Sequence, residues 1–118
     1  MSTKPIRVGL LAYGAIGSEH NLAVQNTGGL VLSAVCDTKP ERIEAARELA
    51  TDFVGFSDAT EMLDSGLLDL VVISTPPNSH FHWAKESLSR GIHVVLEKPM
   101  ALTTDECDEL IKLAIDKN

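Results

Sequence analysis

The sequence predicts a doubly wound α/β domain, with a parallel sheet in the strand order 3-2-1-4-5. Three observations carry this. Five apolar runs alternate with helix-compatible segments along all 118 residues. The first, second and fourth runs are near-continuously apolar, as expected of parallel strands covered on both faces. A glycine-rich turn follows the first run, and right-handed crossovers convert such an alternation into one open sheet. A chain of this length makes one domain and can bury a real core.

The elements follow in order. A strand over 6–12 feeds the glycine turn and a first helix. The second strand covers 30–36. Pro40 suits the first turn of the second helix, which is expected to continue through Ala45, Ala46 and Leu49. The third strand, over 53–56, is short and suits a sheet edge. Asp58 and Glu61 resemble a capping pair ahead of Met62 and Leu63. The fourth strand spans 70–74. Asn78 can cap the helix after it, which carries Phe81, Ala84 and Leu88 on one face and closes at Gly91, after Arg90. The fifth strand spans 93–97. Thr103 and Glu106 form a capping box for a last helix with Cys107, Leu110, Ile111, Ala114 and Ile115 on one face.

Composition removes several function classes. Hydrophobic content of 44% fits a globular protein rather than a disordered one. The net charge of −7 argues against a nucleic-acid partner, which needs basic patches. Backbone amides at a helix N-terminus can still bind an anionic cofactor locally. Cys36 and Cys107 form no Cys-x-x-Cys pair, so a reduced, cytoplasmic setting is the expectation. No apolar run approaches the roughly 18 residues of a membrane span, and residues 1–5 lack the hydrophobic segment of a signal peptide. His80 and His82 are two apart and would point to different helix faces, so no metal site is expected.

The chemistry-bearing residues begin at the first turn. Ala12-Tyr13-Gly14-Ala15-Ile16-Gly17 reads Ala-x-Gly-x-x-Gly, a dinucleotide-binding loop with its first glycine replaced. Gly14 would let the backbone approach a pyrophosphate, and Gly17 would let the helix pack closely on the strand. Ala12 is harmless with a negative φ and unfavourable with a positive one. Asp37 lies twenty positions after Gly17, at the end of the second strand. There its carboxylate can accept hydrogen bonds from the adenosine ribose hydroxyls, which favours NAD. Lys39, with Thr38 beside it, is the candidate cation for the 2′-phosphate of NADP.

Two further motifs fall on the same sheet edge. After the fourth strand comes Ser74-Thr75-Pro76-Pro77-Asn78-Ser79-His80, whose prolines stiffen a loop and expose its polar groups. After the fifth comes Glu97-Lys98-Pro99. A lysine in that crevice could hold a substrate hydroxyl and relay its proton, if desolvation lowers its pKa. A cis Lys98–Pro99 bond is conceivable, although trans is the base expectation.

Together with His20, these motifs resemble the Gfo/Idh/MocA oxidoreductases, relatives of glucose–fructose oxidoreductase and inositol dehydrogenase, over the whole chain. The resemblance implies an NAD(P)-dependent oxidoreductase of a sugar, polyol or related compound. It implies that Thr75, Pro76, Asn78 and His80 line the ribose–nicotinamide end, that Glu97 contacts the nicotinamide ribose region, and that Lys98 is the catalytic lysine. Residues 1–118 then form the nucleotide-binding Rossmann domain. The family's second domain, which usually supplies substrate contacts and the oligomer interface, has no counterpart in the sequence, so weak cofactor binding and little turnover are expected of this piece alone. Two other classes share the early features. A non-catalytic nucleotide-responsive module would have no need of Lys98. A methyltransferase using S-adenosylmethionine also pairs a glycine loop with an acid, but does not account for the Asn78 loop or for Glu97-Lys98-Pro99.

Overall fold

The computed structural model describes residues 4–14, 16–98, 101 and 103–117. The strands are β1 (Ile6–Leu11), β2 (Leu30–Cys36), β3 (Val54–Phe56), β4 (Leu70–Ile73) and β5 (His93–Leu96). The helices are α1 (Gly17–Gln25), α2 (Pro40–Ala46), α3 (Ala59–Leu63), α4 (His80–Ser89) and α5 (Thr104–Lys117), with a 3₁₀ turn over Pro77–Ser79. All pairings are parallel and the order is β3-β2-β1-β4-β5, as the sequence predicts. Register slips once between β1 and β2, where Val8 faces Leu32 but Gly9 faces Ala34. A Cβ at Gly9 would lie 2.6 Å from the Leu68 methyl groups, so that side chain would have to shift to admit a larger residue.

The sheet separates two cores. Met62, Leu63, Ile73, Ala84 and Leu110 fill one face; Leu10, Tyr13, Val24, Val35 and Ala46 fill the other. Local signals account for several boundaries. Asp58 caps α3 by accepting from the N–H groups of Thr60 and Glu61. The Thr103 hydroxyl accepts from the Glu106 N–H, as the capping box requires. Gly91, at φ +78°, closes α4 in a Schellman motif: its N–H reaches Leu88 O, and the Ile92 N–H reaches Ser87 O.

Three local expectations need correction. Helix α2 stops at Ala46, so Leu49 lies beyond it and is exposed. The chain tightens there into i→i+3 bonds, and the Arg47 guanidinium turns back over the Phe53 ring, 4.3 Å from its centroid, and onto the Thr51 and Phe53 carbonyls. Asn78 does not cap α4. It is taken up by the 3₁₀ turn, and Ser79 occupies the cap position without a side-chain bond to the helix. The apolar face of α5 is only partly covered: Leu110 is buried while Ile111 and Ile115 are exposed.

Candidate functional site

Four backbone bonds continue the sheet one residue past its strands. Ala12 N–H reaches Cys36 O at 2.8 Å, Ser74 N–H reaches Leu11 O at 3.0 Å, Glu97 N–H reaches Ile73 O at 3.2 Å, and Asp37 N–H reaches Phe56 O at 3.0 Å. They put the first residue of each motif along one edge, at the carboxyl ends of the parallel strands. An open α/β sheet binds its ligand at this edge, where the order reverses between β1 and β4.

The glycine loop is tied to Asp37. The Tyr13 N–H donates to Asp37 Oδ2 at 2.8 Å and the Lys39 N–H to Oδ1 at 2.9 Å. The carboxylate is buried, yet each oxygen keeps a further lone pair for a ligand hydroxyl. The Tyr13 side chain serves the core: its ring is buried and its hydroxyl accepts from Asn21 Nδ2 at 3.2 Å. Gly17 makes room for that ring, since a Cβ there would lie 2.8 Å from Tyr13 Cδ1. Over Gly14 the space is open, and the nearest atom to a Cβ would be Arg42 Nη1 at 3.8 Å. Ile16 stands at the N-cap of α1, and no side chain caps that helix among the described residues. An open cradle ending at an uncapped helix N-terminus suits a pyrophosphate.

Ala12 has φ +78° and is the only described non-glycine residue with positive φ. The turn therefore demands the conformation that glycine adopts freely, and alanine holds it at a cost.

Arg42, on α2, is the residue that sequence reasoning missed. Its Nη1 lies 3.6 Å from Asp37 Oδ2, whereas Lys39 contributes its backbone N–H and keeps an exposed side chain. Proximity was the available signal: Arg42 lies in the first turn of α2, five positions after Asp37. A cavity of about 340 Å³ opens between the two motifs, bordered by Ala12, Asp37, Thr38, Arg42, Pro76 and Trp83. Cys36 also borders it. Burial, with the nearby Asp37 and Asp58 charges, pushes its thiol up to about 11 and keeps it protonated and unreactive.

On the other side of the edge, the Ser79 hydroxyl bonds Thr75 Oγ1 at 2.7 Å and Pro76 O at 2.8 Å. His80 is buried, and its Nε2 donates to Thr75 O at 2.6 Å, so this imidazole holds the loop from beneath. Ser74 and Thr75 are half-buried, while Pro76, Pro77 and Asn78 are exposed. His20 Nε2 bonds Glu97 Oε1 at 2.6 Å and joins α1 to the end of β5. Lys98 follows, exposed, with no hydrogen bond or ion pair among the described residues. Ala15 and Pro99 lie outside the described residues, and with Pro99 the geometry of the Lys98–Pro99 bond. No cluster of three metal-ligating side chains occurs among the described residues, and none of their helices is long and apolar enough to cross a membrane.

A glycine cradle, a buried acid after β2 and a ligand crevice at the strand-order reversal define an NAD-binding Rossmann domain. The chain belongs to the Gfo/Idh/MocA oxidoreductase family, whose NAD-binding Rossmann fold matches residues 6–118. It is 34% identical to the uncharacterized oxidoreductase YdgJ of Escherichia coli over 92% of this chain and 31% of that protein. It is 30% identical to a glycosyl hydrolase family 109 protein of Shewanella pealeana over 92% of this chain and 26% of that protein. It superposes on the WlbA dehydrogenase of Bordetella pertussis, solved with NADH and UDP-GlcNAcA, with a TM-score of 0.86 and 34% identity over 97% of this chain and 35% of that one. The chain thus spans about a third or less of the lengths it matches.

Proposed function

We propose that this chain is the cofactor-holding part of an NAD(P)-dependent oxidoreductase that acts on a sugar, polyol or related compound in a reducing, cytoplasmic setting. The observation that carries this reading is the meeting of the Gly14 cradle, Asp37, the Thr75–Ser79 contact and Lys98 along one sheet edge. Two relatives support the substrate class: one is named for glycoside hydrolysis and another was solved with UDP-GlcNAcA.

In this reading, backbone groups from Ala12 to Gly17 hold the pyrophosphate and Asp37 accepts from the adenosine ribose. Ser74, Thr75, Pro76, Pro77, Asn78 and Glu97 border the nicotinamide half, with His80 fixing their loop. The bound nicotinamide supplies the hydride acceptor or donor. Lys98 hydrogen-bonds the substrate oxygen and takes or returns its proton. Lys98 is exposed here.

Calorimetric titration of the chain with NAD tests the binding half, and no heat at millimolar nucleotide overturns it. Replacing Lys98 by alanine in a full-length version tests the chemical half. Turnover should fall while binding holds; unchanged turnover would favour a non-catalytic nucleotide sensor on the same fold.

A further inference from the structure

We infer that His20 is a positioning residue: through Glu97 it holds the segment that carries Lys98. The inference rests on the reading of Lys98 given above and extends it to how that lysine is set in place.

Glu97 directly precedes Lys98 and is pinned twice. Its backbone N–H donates to Ile73 O at 3.2 Å, which fixes the chain at the end of β5. Its carboxylate Oε1 accepts from His20 Nε2 at 2.6 Å, which fixes the side chain. Among the described residues, each of these side chains has the other as its single hydrogen-bond partner. The two residues are 77 positions apart, so only the fold brings them together. His20 stands in the first turn of α1, where its own N–H reaches Ile16 O at 3.2 Å. The turn that closes the glycine loop therefore reaches across the sheet edge to the end of β5.

Lys98 itself makes no hydrogen bond or ion pair among the described residues, and within them its placement rests on the residue before it. A carboxylate adjoining an ammonium is also its nearest ion-pair partner, and His20 occupies that carboxylate instead. A fully exposed contact of this kind adds little to stability. This one is short and partly covered, with 22% of the His20 side chain and 33% of the Glu97 side chain exposed. Misplacing a reacting group by about 1 Å can cost about a hundredfold in rate, so a contact of small energy is enough to matter.

His20→Met and His20→Gln test this directly, because the two replacements have similar volume and only glutamine keeps an N–H donor. Backbone order parameters from NMR relaxation of the chain report picosecond-to-nanosecond motion at each amide. In the unaltered chain Lys98 should give about 0.85, the value of a rigid backbone. His20→Met should lower it below about 0.6, the flexible range, while His20→Gln keeps it in the rigid range. Glu97→Ala removes the acceptor and should reproduce the loss, and adding His20→Met to it should change nothing further. Calorimetry should find NAD affinity in both His20 variants within about threefold of the unaltered chain. An unchanged order parameter at Lys98 in His20→Met overturns the proposal. So does an equal loss in His20→Met and His20→Gln, which would make the imidazole a packing group, or a further loss when His20→Met is added to Glu97→Ala. A fall in NAD affinity with Lys98 still rigid would put the imidazole on the cofactor and overturns it as well. Lys98→Ala in a full-length version separates the two readings: unchanged turnover there removes the catalytic role of Lys98, while the order parameters decide whether His20 holds its segment.

Discussion

The two halves of the sheet edge are built differently. On the β1–β2 side, Asp37, Tyr13, Lys39 and Arg42 form a closed set of contacts around a buried carboxylate, and Gly17 seats the Tyr13 ring beneath it. On the β4–β5 side, His80 and Ser79 brace the loop and His20 grips Glu97, but Lys98 stands in solvent. Under the proposed function, the domain pre-organises the half assigned to the adenosine and leaves the half assigned to the reaction open. A group that must meet substrate is completed only when substrate arrives, so its surroundings lie partly outside the element that carries it.

This contrast can be broken from either side. The largest effect is expected at Lys98. In a full-length protein Lys98→Ala should lower turnover by about a hundredfold or more while the NAD dissociation constant moves less than about twofold, read by steady-state kinetics and calorimetry. The reverse is expected on the adenosine side. Gly17→Ala forces a methyl to within 2.8 Å of a buried ring, so thermal denaturation should show a loss of about 1–3 kcal/mol, with weakened NAD binding. An unchanged midpoint would show that the ring shifts freely.

Ala12→Gly should act oppositely. It relieves a left-handed alanine and should stabilise the domain by about 1 kcal/mol in chemical denaturation, and destabilisation would contradict the positive φ. The smallest effect belongs to the far edge of the sheet. There Arg7 holds Asp69 in a two-pronged contact, which keeps the Asp69 carboxyl below the usual carboxylate range. Its contribution is present above about pH 4 and is lost as pH falls through the lower folded value. Asp69→Asn should therefore narrow the difference in melting temperature between pH 7 and pH 3 slightly, without touching NAD affinity.

Much of the site was legible because the chemistry of each motif is local. The spacing of Gly14, Gly17 and Asp37, and the proline-stiffened loop after β4, each state a backbone requirement that neighbouring residues satisfy. What escaped depended on the third dimension. Lys39 is the cation nearest Asp37 in sequence, but it meets the carboxylate through its backbone N–H, and the guanidinium beside that carboxylate comes from Arg42. Asn78 has the chemistry of a cap, yet a 3₁₀ turn absorbs it. His80 reads as a ligand-facing polar group, and the fold buries it under Thr75.

The sequence by itself determined the strand and helix alternation, the sheet order and the edge on which the motifs gather. Apolar periodicity, turn residues and crossover handedness are short-range or general constraints, and they suffice for those. The tertiary structure alone decided that Ala12 bears a positive φ, that Arg42 partners Asp37, and that Lys98 is exposed while His80 is buried. Each of these depends on the folded path of the backbone and on how neighbouring elements pack, which spacing in the sequence does not set.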